Sequence, residues 1–411
     1  METPDDAPAS WAGRTFGALK APAYRRFFVG QGLSLVGSWA RSTALGWLVY
    51  DLTGSKALLG TVGLASFLPM ALLVPLTGAI ADRADKRRLL AWVNAALLVC
   101  SAAFAALLAA GAVRASHVLV FAGLTGTLVA FEVPARQAFV VEMVGKRLLH
   151  NAIALNSALF NLTLFVGPAV ATGILALGGM TWVFVFDALS YVGAVVALAG
   201  MRLPDRPLVE AKVVSRLAHL TAGVRYAARD RTVRRLLGLL AVVMAFGWSY
   251  SALLPAFAKD VLRTDATGYG FLYASSGLGA FAGALLVAGR AGRSPDRAVR
   301  AFLLGVSLSL LAFSVARSLV LACALRAVAG FAMIGFLSTA NTTIQTSVPD
   351  ALRGRVMAVW IFVWSACFPL GQQALGSAAE RIGTAGAVGA GGAVCLAAVL
   401  ALLLARPRRA A

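Results

Sequence analysis

Apolar residues run along this chain in twelve stretches of 18 to 28 positions, separated by short clusters of charge, glycine and proline. At a rise of about 1.5 Å per residue, each stretch is long enough for a helix to cross a hydrocarbon core about 30 Å thick. The pattern predicts spans near 24–50, 58–81, 89–112, 117–140, 152–177 and 181–201. Six more are predicted near 233–258, 268–289, 299–316, 319–346, 355–378 and 384–405. The expected fold is therefore all-α, a polytopic membrane protein of twelve transmembrane helices.

Composition agrees. Of 411 residues, 60% are hydrophobic and 13% charged, which excludes an ordinary soluble protein and leaves little chain for an extramembrane domain. The excess of 37 Lys and Arg over 17 Asp and Glu would point to nucleic acid in a soluble chain. With a mean hydropathy of +0.81 the surplus reads instead as loop charge that sets topology, so no nucleic-acid partner is expected. Twenty-nine of the basic residues fall in tails and loops of one face and six on the other. The basic face and both termini are expected to be cytoplasmic. Two arginines, Arg41 and Arg326, are left inside spans.

The longest polar stretch divides the spans six and six. The expected organisation is an N-terminal tail (1–23), a six-helix bundle (24–201), a basic amphipathic linker on the inner membrane surface (202–232), a second bundle (233–405) and a short tail (406–411). One offset, 208, relates Arg26 to Arg234, Asp82 to Arg290 and Gln137 to Gln345, which supports parallel repeats with a site between pseudo-symmetric halves.

Polar groups inside spans are the candidates for function, because a charge there costs about 2.5–3.5 kcal/mol on insertion scales. Gln31, Ser34, Ser38 and Arg41 step by three, four and three along the first span, a polar stripe that can line water between bundles. Asp187 in the sixth span lies at a depth similar to Arg41, so the two can pair, either as a structural ion pair or with Asp187 carrying protons; the alternative is Asp187 snorkelling outward. Arg326 in the tenth span either binds an anionic substrate group or satisfies carbonyls. Ser338, Asn341, Thr342 and Gln345 of the tenth span, and Asn156 and Asn161 of the fifth, are expected to face the cavity. Cys100, Cys323, Cys367 and Cys395 lack metal-ligand spacing, and His117, His150 and His219 form no catalytic constellation, so neither a metal site nor an enzyme is expected. No G-x-x-x-x-G-K-[S/T] phosphate loop is present, which leaves an ion gradient or a separate subunit as the energy source.

Residues 78–90 read GAIADRADKRRLL and resemble the loop pattern G-x-L-A-D-R-x-G-R-K-x-x-L of the major facilitator superfamily. Gly78, Ala81, Asp82, Arg83, Arg87 and Leu90 fit, while Ile80, Asp85 and Lys86 depart from it. The segments at 24–55, 134–144, 151–169 and 349–360 resemble the branch containing the enterobactin exporter and related drug–proton antiporters. That resemblance implies the major facilitator fold and a cytoplasmic latch built from Gly78, Asp82, Arg83, Arg87 and Arg88. Glu132 and Arg136, four apart near the inner end of the fourth span, either serve packing alone or are partners of Asp82 in that latch. VGPAVATG at 166–173 resembles the fifth-helix antiporter motif and keeps Gly167, Pro168 and Gly173, though structural use of these residues accounts for them nearly as well. The fourth-helix arginine motif of many such antiporters is missing from GLTGTLVAF at 123–131.

The function expected from all of this is proton-coupled export of a small amphipathic molecule (a drug, siderophore or other secondary metabolite) by alternating access. The setting is a bacterial inner membrane, with no cofactor beyond the proton gradient, and the chain working as a monomer. The rival inside the same fold is uptake, or flipping of a lysophospholipid.

Overall fold

A computed structural model of the protein describes residues 16–201, 216–288 and 295–404. Its elements are α1 (Pro22–Thr53), α2 (Lys56–Arg83), α3 (Lys86–Ala109), α4 (Ala115–Gly145), α5 (Arg147–Gly178) and α6 (Met180–Ala199). A linker helix α7 (Arg216–Arg229) follows, then α8 (Arg231–Val261), α9 (Ala266–Ala288), α10 (Pro295–Val315) and α11 (Leu319–Ser347). The last stretch, Asp350–Leu404, breaks at Gly383 into α12 (350–382) and α13 (384–404). Twelve of these thirteen helices match the predicted spans.

Local chemistry sets the ends. Ser55, Asp85 and Asp230 cap α2, α3 and α8 by accepting from the amides of Leu58, Arg88 and Val233. Gly179 (φ 82°) and Gly383 (φ 78°) turn the fifth span into the sixth and the eleventh into the twelfth, a left-handed backbone that favours glycine, used at matching places of the two halves.

One expectation changes, and three features are added to the predicted plan. The loop predicted between the fourth and fifth spans is helical, because α4 and α5 run on beyond the apolar stretch and meet at a single sharp turn, Gly145 (φ 66°). The N-terminal tail is packed from Gly17 onward: a 3-10 turn, Gly17–Lys20, buries Ala18, whose amide donates to Asn151 Oδ1 at 2.8 Å. The linker helix α7 packs on α12 closely enough that Gly223 abuts the Arg355 backbone. Finally α8 is irregular, with π turns at Val243–Trp248 and Phe257–Val261 flanking a 3-10 segment at Ser249–Leu253. The parts of the tails and linker at 1–15, 202–215 and 405–411 lie outside the described residues, as does Arg290.

Helices α1–α6 form one bundle and α8–α13 the other. They meet along two seams, α2 against α12 and α5 against α9. Small residues permit that approach: a Cβ on Gly60 would stand 2.5 Å from the Gln372 carbonyl oxygen. The cores differ. In the second bundle one continuous apolar cluster runs from Val233 through Met244, Leu310 and Phe336 to Val399. In the first, separate clusters around Phe104 and Phe184 at one end and around Tyr24 and Phe139 at the other are parted by a polar layer.

Candidate functional site

That layer contains the residues read from the sequence as a stripe. Gln31, Ser34 and Arg41 are buried, with 4%, 2% and 8% exposure, and Ser38 is half-buried. They face α4 and α6 inside their own bundle, not the space between bundles as expected. The physical reason is charge: buried ionisable groups need partners, and Glu132 and Asp187 supply them here. Arg41 Nε lies 3.1 Å from Asp187 Oδ2, and its guanidinium sits 5.5 Å above the Phe121 ring. The Ser101 hydroxyl donates to the same carboxylate oxygen at 2.6 Å, while Asp187 Oδ1 has no hydrogen-bond partner among the described residues. Ser38 and Tyr191 share a hydrogen bond of 2.8 Å one turn away.

Toward the other end of α1, Gln31 donates to Glu132 Oε1 at 3.2 Å, and Arg136 lies 3.5 Å from that oxygen along α4. A carboxylate, an amide, hydroxyls, a phenol and an ion pair therefore line one face of α1 from Glu132 to Asp187. Ser101, Tyr191 and Phe121 escaped the sequence reading, because helical spacing reveals a polar face but not the neighbour that meets it.

The second bundle holds its buried arginine differently. Arg326, 4% exposed, donates from Nη1 to the Tyr250 hydroxyl at 2.6 Å and from Nε to the Leu272 carbonyl at 3.4 Å, with its guanidinium 5.0 Å from the Tyr250 ring centre. Farther along α11, Ser338, Asn341 and Thr342 line a cavity of about 450 Å³ with Trp360 and Trp364 of α12. Gln345 is exposed one turn beyond and donates to Asn341. The fifth-span asparagines are placed elsewhere: Asn156 accepts from Tyr24 at 3.3 Å, and Asn161 donates to its own helix at Ser157.

The loop after α2 that fits the family pattern divides its work. Arg87 donates to the Leu198 and Ala199 carbonyls at 2.7 and 2.8 Å, capping the end of α6. Arg88 reaches back to Asp85 at 3.4 Å on the surface, Arg83 is exposed and Gly78 is buried. The side chain of Asp82 lies outside the described residues. In the fifth-helix motif, Gly167 abuts Trp39 of α1, the Thr172 hydroxyl takes up the Pro168 carbonyl at 2.8 Å, and Gly173 faces open space.

Contacts across the bundles gather at the face poor in basic loops. Asp51 and Lys259 pair at 2.6 Å, Lys56 lies 3.4 Å from Asp260, Tyr50 donates to Asp260 at 2.5 Å, and Glu380 accepts from Ser55 and the Ala57 amide. Deeper in the same half, Trp47 stacks on Tyr269 and Phe67 meets Phe368 edge-on. Asp51 and Lys259 are 208 positions apart, so the repeat offset maps one onto the other, a signal in the sequence that could have found this contact.

The chain matches the transmembrane secretion effector family over residues 13–410. It is 26% identical to the staphyloferrin A transporter of Staphylococcus aureus across 87% of this chain and 89% of that one. It is 28% identical to the multidrug efflux pump Tap of Mycolicibacterium fortuitum, across 90% and 88%. Its fold is similar to that of a POT family transporter solved with 5-aminolevulinic acid, at a TM-score of 0.72 and 12% identity over 93% of this chain and 96% of that one. With two six-helix bundles, a loop of the facilitator type and a family match along nearly its whole length, the chain belongs to the transmembrane secretion effector family of major facilitator superfamily transporters.

Proposed function

We propose that this transporter exports a small amphipathic molecule across a bacterial inner membrane, by alternating access driven by proton influx. The observation that carries the reading is the asymmetry of the two faces. Among the described residues, the ion pairs and ring contacts between bundles lie in the half poor in basic loops, while a cavity of about 450 Å³ with polar and tryptophan walls sits toward the other half. A volume in this range suits a drug-sized ligand. With the basic face cytoplasmic, this is a carrier loaded from inside and gated outside, and the names of its relatives, a siderophore transporter and a multidrug pump, support export.

Coupling is assigned to Asp187. Its unbonded Oδ1 leaves room for a proton, and protonation would release Arg41 from a charge it cannot easily lose in a low-dielectric interior. Glu132, joined to the same face of α1 through Gln31, is a second station on the cytoplasmic side. The family resemblance adds Asp82 as a latch for the opposite state, so Asp82→Asn should slow turnover with insertion intact. The reading is tested by drug accumulation in cells: expression should lower the intracellular level of a transported compound, and a protonophore should restore it. Accumulation raised by expression would establish uptake instead.

A further inference from the structure

Among the described residues, Arg41 and Arg326 are the two arginines buried within the bundles, and only Arg41 faces a carboxylate. The acidic residues of the second bundle, Asp230, Asp260, Asp265, Asp296, Asp350 and Glu380, all sit at helix ends. Five guanidinium N–H groups of Arg326 therefore meet one neutral hydroxyl and one backbone carbonyl. A buried cation compensated only by neutral groups and an aromatic face is costly, and a bidentate oxyanion is the partner its geometry fits best.

The surroundings give such an anion a route. A small cavity of about 20 Å³, room for about one water, opens beside Arg326 and is bounded by Gly247, Trp248, Tyr250, Ser276 and Met333. Met333 of that cavity and Leu337 of the larger one are one turn apart on α11, and 326, 330, 333, 337 and 341 fall on one face of the helix. The two spaces thus follow one another along the same face of α11. The wall opposite is the irregular part of α8, where a π turn ends at Trp248 and a 3-10 segment carries Tyr250. Such departures from α geometry recur where a helix must give way at a functional site.

Resting on the export reading above, we propose that Arg326 is an anion station at the deep end of the substrate path, on the outer side of the larger cavity. It receives the carboxylate or other oxyanion of an amphipathic organic molecule, whose apolar part lies against Trp248 and Tyr250. The anion displaces the neutral Tyr250 hydroxyl and takes over the guanidinium.

The test is equilibrium dialysis of the full-length protein in phosphatidylcholine nanodiscs, with 2-naphthoate and its uncharged carboxamide as probes and empty nanodiscs subtracted. Wild type should hold the carboxylate at least about tenfold more tightly than the amide, equivalent to about 1.4 kcal/mol. Arg326→Gln should bring the ratio to about one with an unchanged melting temperature, Arg326→Lys should keep part of it, and the exposed control Arg381→Gln all of it. Lysophosphatidylglycerol as competitor separates the sources of the oxyanion: displacement marks a lipid headgroup, and its failure a free organic acid. Equal binding of both probes by wild type, or a preference that survives in folded Arg326→Gln, overturns the proposal. Because the readout is binding, a preference that stands while cells show no export would sink the export reading alone.

Discussion

The two bundles are repeats of one plan, yet each treats its buried arginine in its own way. In the first, Arg41 is neutralised inside the bundle by Asp187, and a polar layer interrupts the core to make room for the pair and its hydroxyl and phenol neighbours. In the second, the core is continuous and Arg326 meets no carboxylate among the described residues, leaning on Tyr250 and a carbonyl. The difference teaches a division of labour. On the two proposals above, the charge balanced within the protein answers to protonation of its partner, and the charge left unbalanced to an anion arriving from outside.

Removing partners should break this comparison most visibly. Asp187→Leu leaves Arg41 buried without a counter-ion and should destabilise the first bundle by about 3–5 kcal/mol, seen as a large fall in melting temperature in detergent. Arg326→Met, which removes an unbalanced cation, should leave the melting temperature unchanged or raise it; equal losses for both would erase the distinction. Truncating the continuous core, for example Leu240→Ala, should cost about 2–5 kcal/mol, and a much smaller loss would mean the second bundle is no better packed than the first. Ser101→Ala takes a donor from the Asp187 carboxylate and should cost about 1.5–3 kcal/mol. It should also shift the pH dependence of transport, and an unchanged profile would separate Ser101 from coupling. Smallest in stability is Lys259→Ala at the half-exposed gate, below about 1 kcal/mol. Its effect should appear as faster labelling of a cysteine placed at Phe67 from the outer side, because the gate loses its pair with Asp51.

Much of this was legible in the sequence. Long apolar runs fixed the number and order of spans, and equal depth brought Arg41 and Asp187 together before any coordinates, since length along a helix converts directly to depth. What spacing cannot supply is azimuth. The stripe Gln31, Ser34, Ser38, Arg41 was visible as a face, but only the packing of α4 and α6 shows that it points into its own bundle. Charged segments at 142–150 read as a loop because hydropathy reports the membrane and not the helix, and α4 and α5 continue through them. Arg87 fits the loop pattern, but its partners here are carbonyls more than a hundred residues away, which no local motif encodes. The irregularity of α8 falls where its apolar run carries Gly247, Ser249, Ser251 and Pro255, a mark that hydropathy alone passes over.

The central claim is that protons are coupled through Asp187 in the first bundle. Inside-out vesicles with an acidified lumen, followed with a pH dye while siderophores, macrolides and aromatic cations are added in turn, test it directly. Wild type should release lumenal protons on addition of a transported compound, and Asp187→Asn should not, while the same compound still binds the purified variant. Proton release by Asp187→Asn at the wild-type rate would contradict the account.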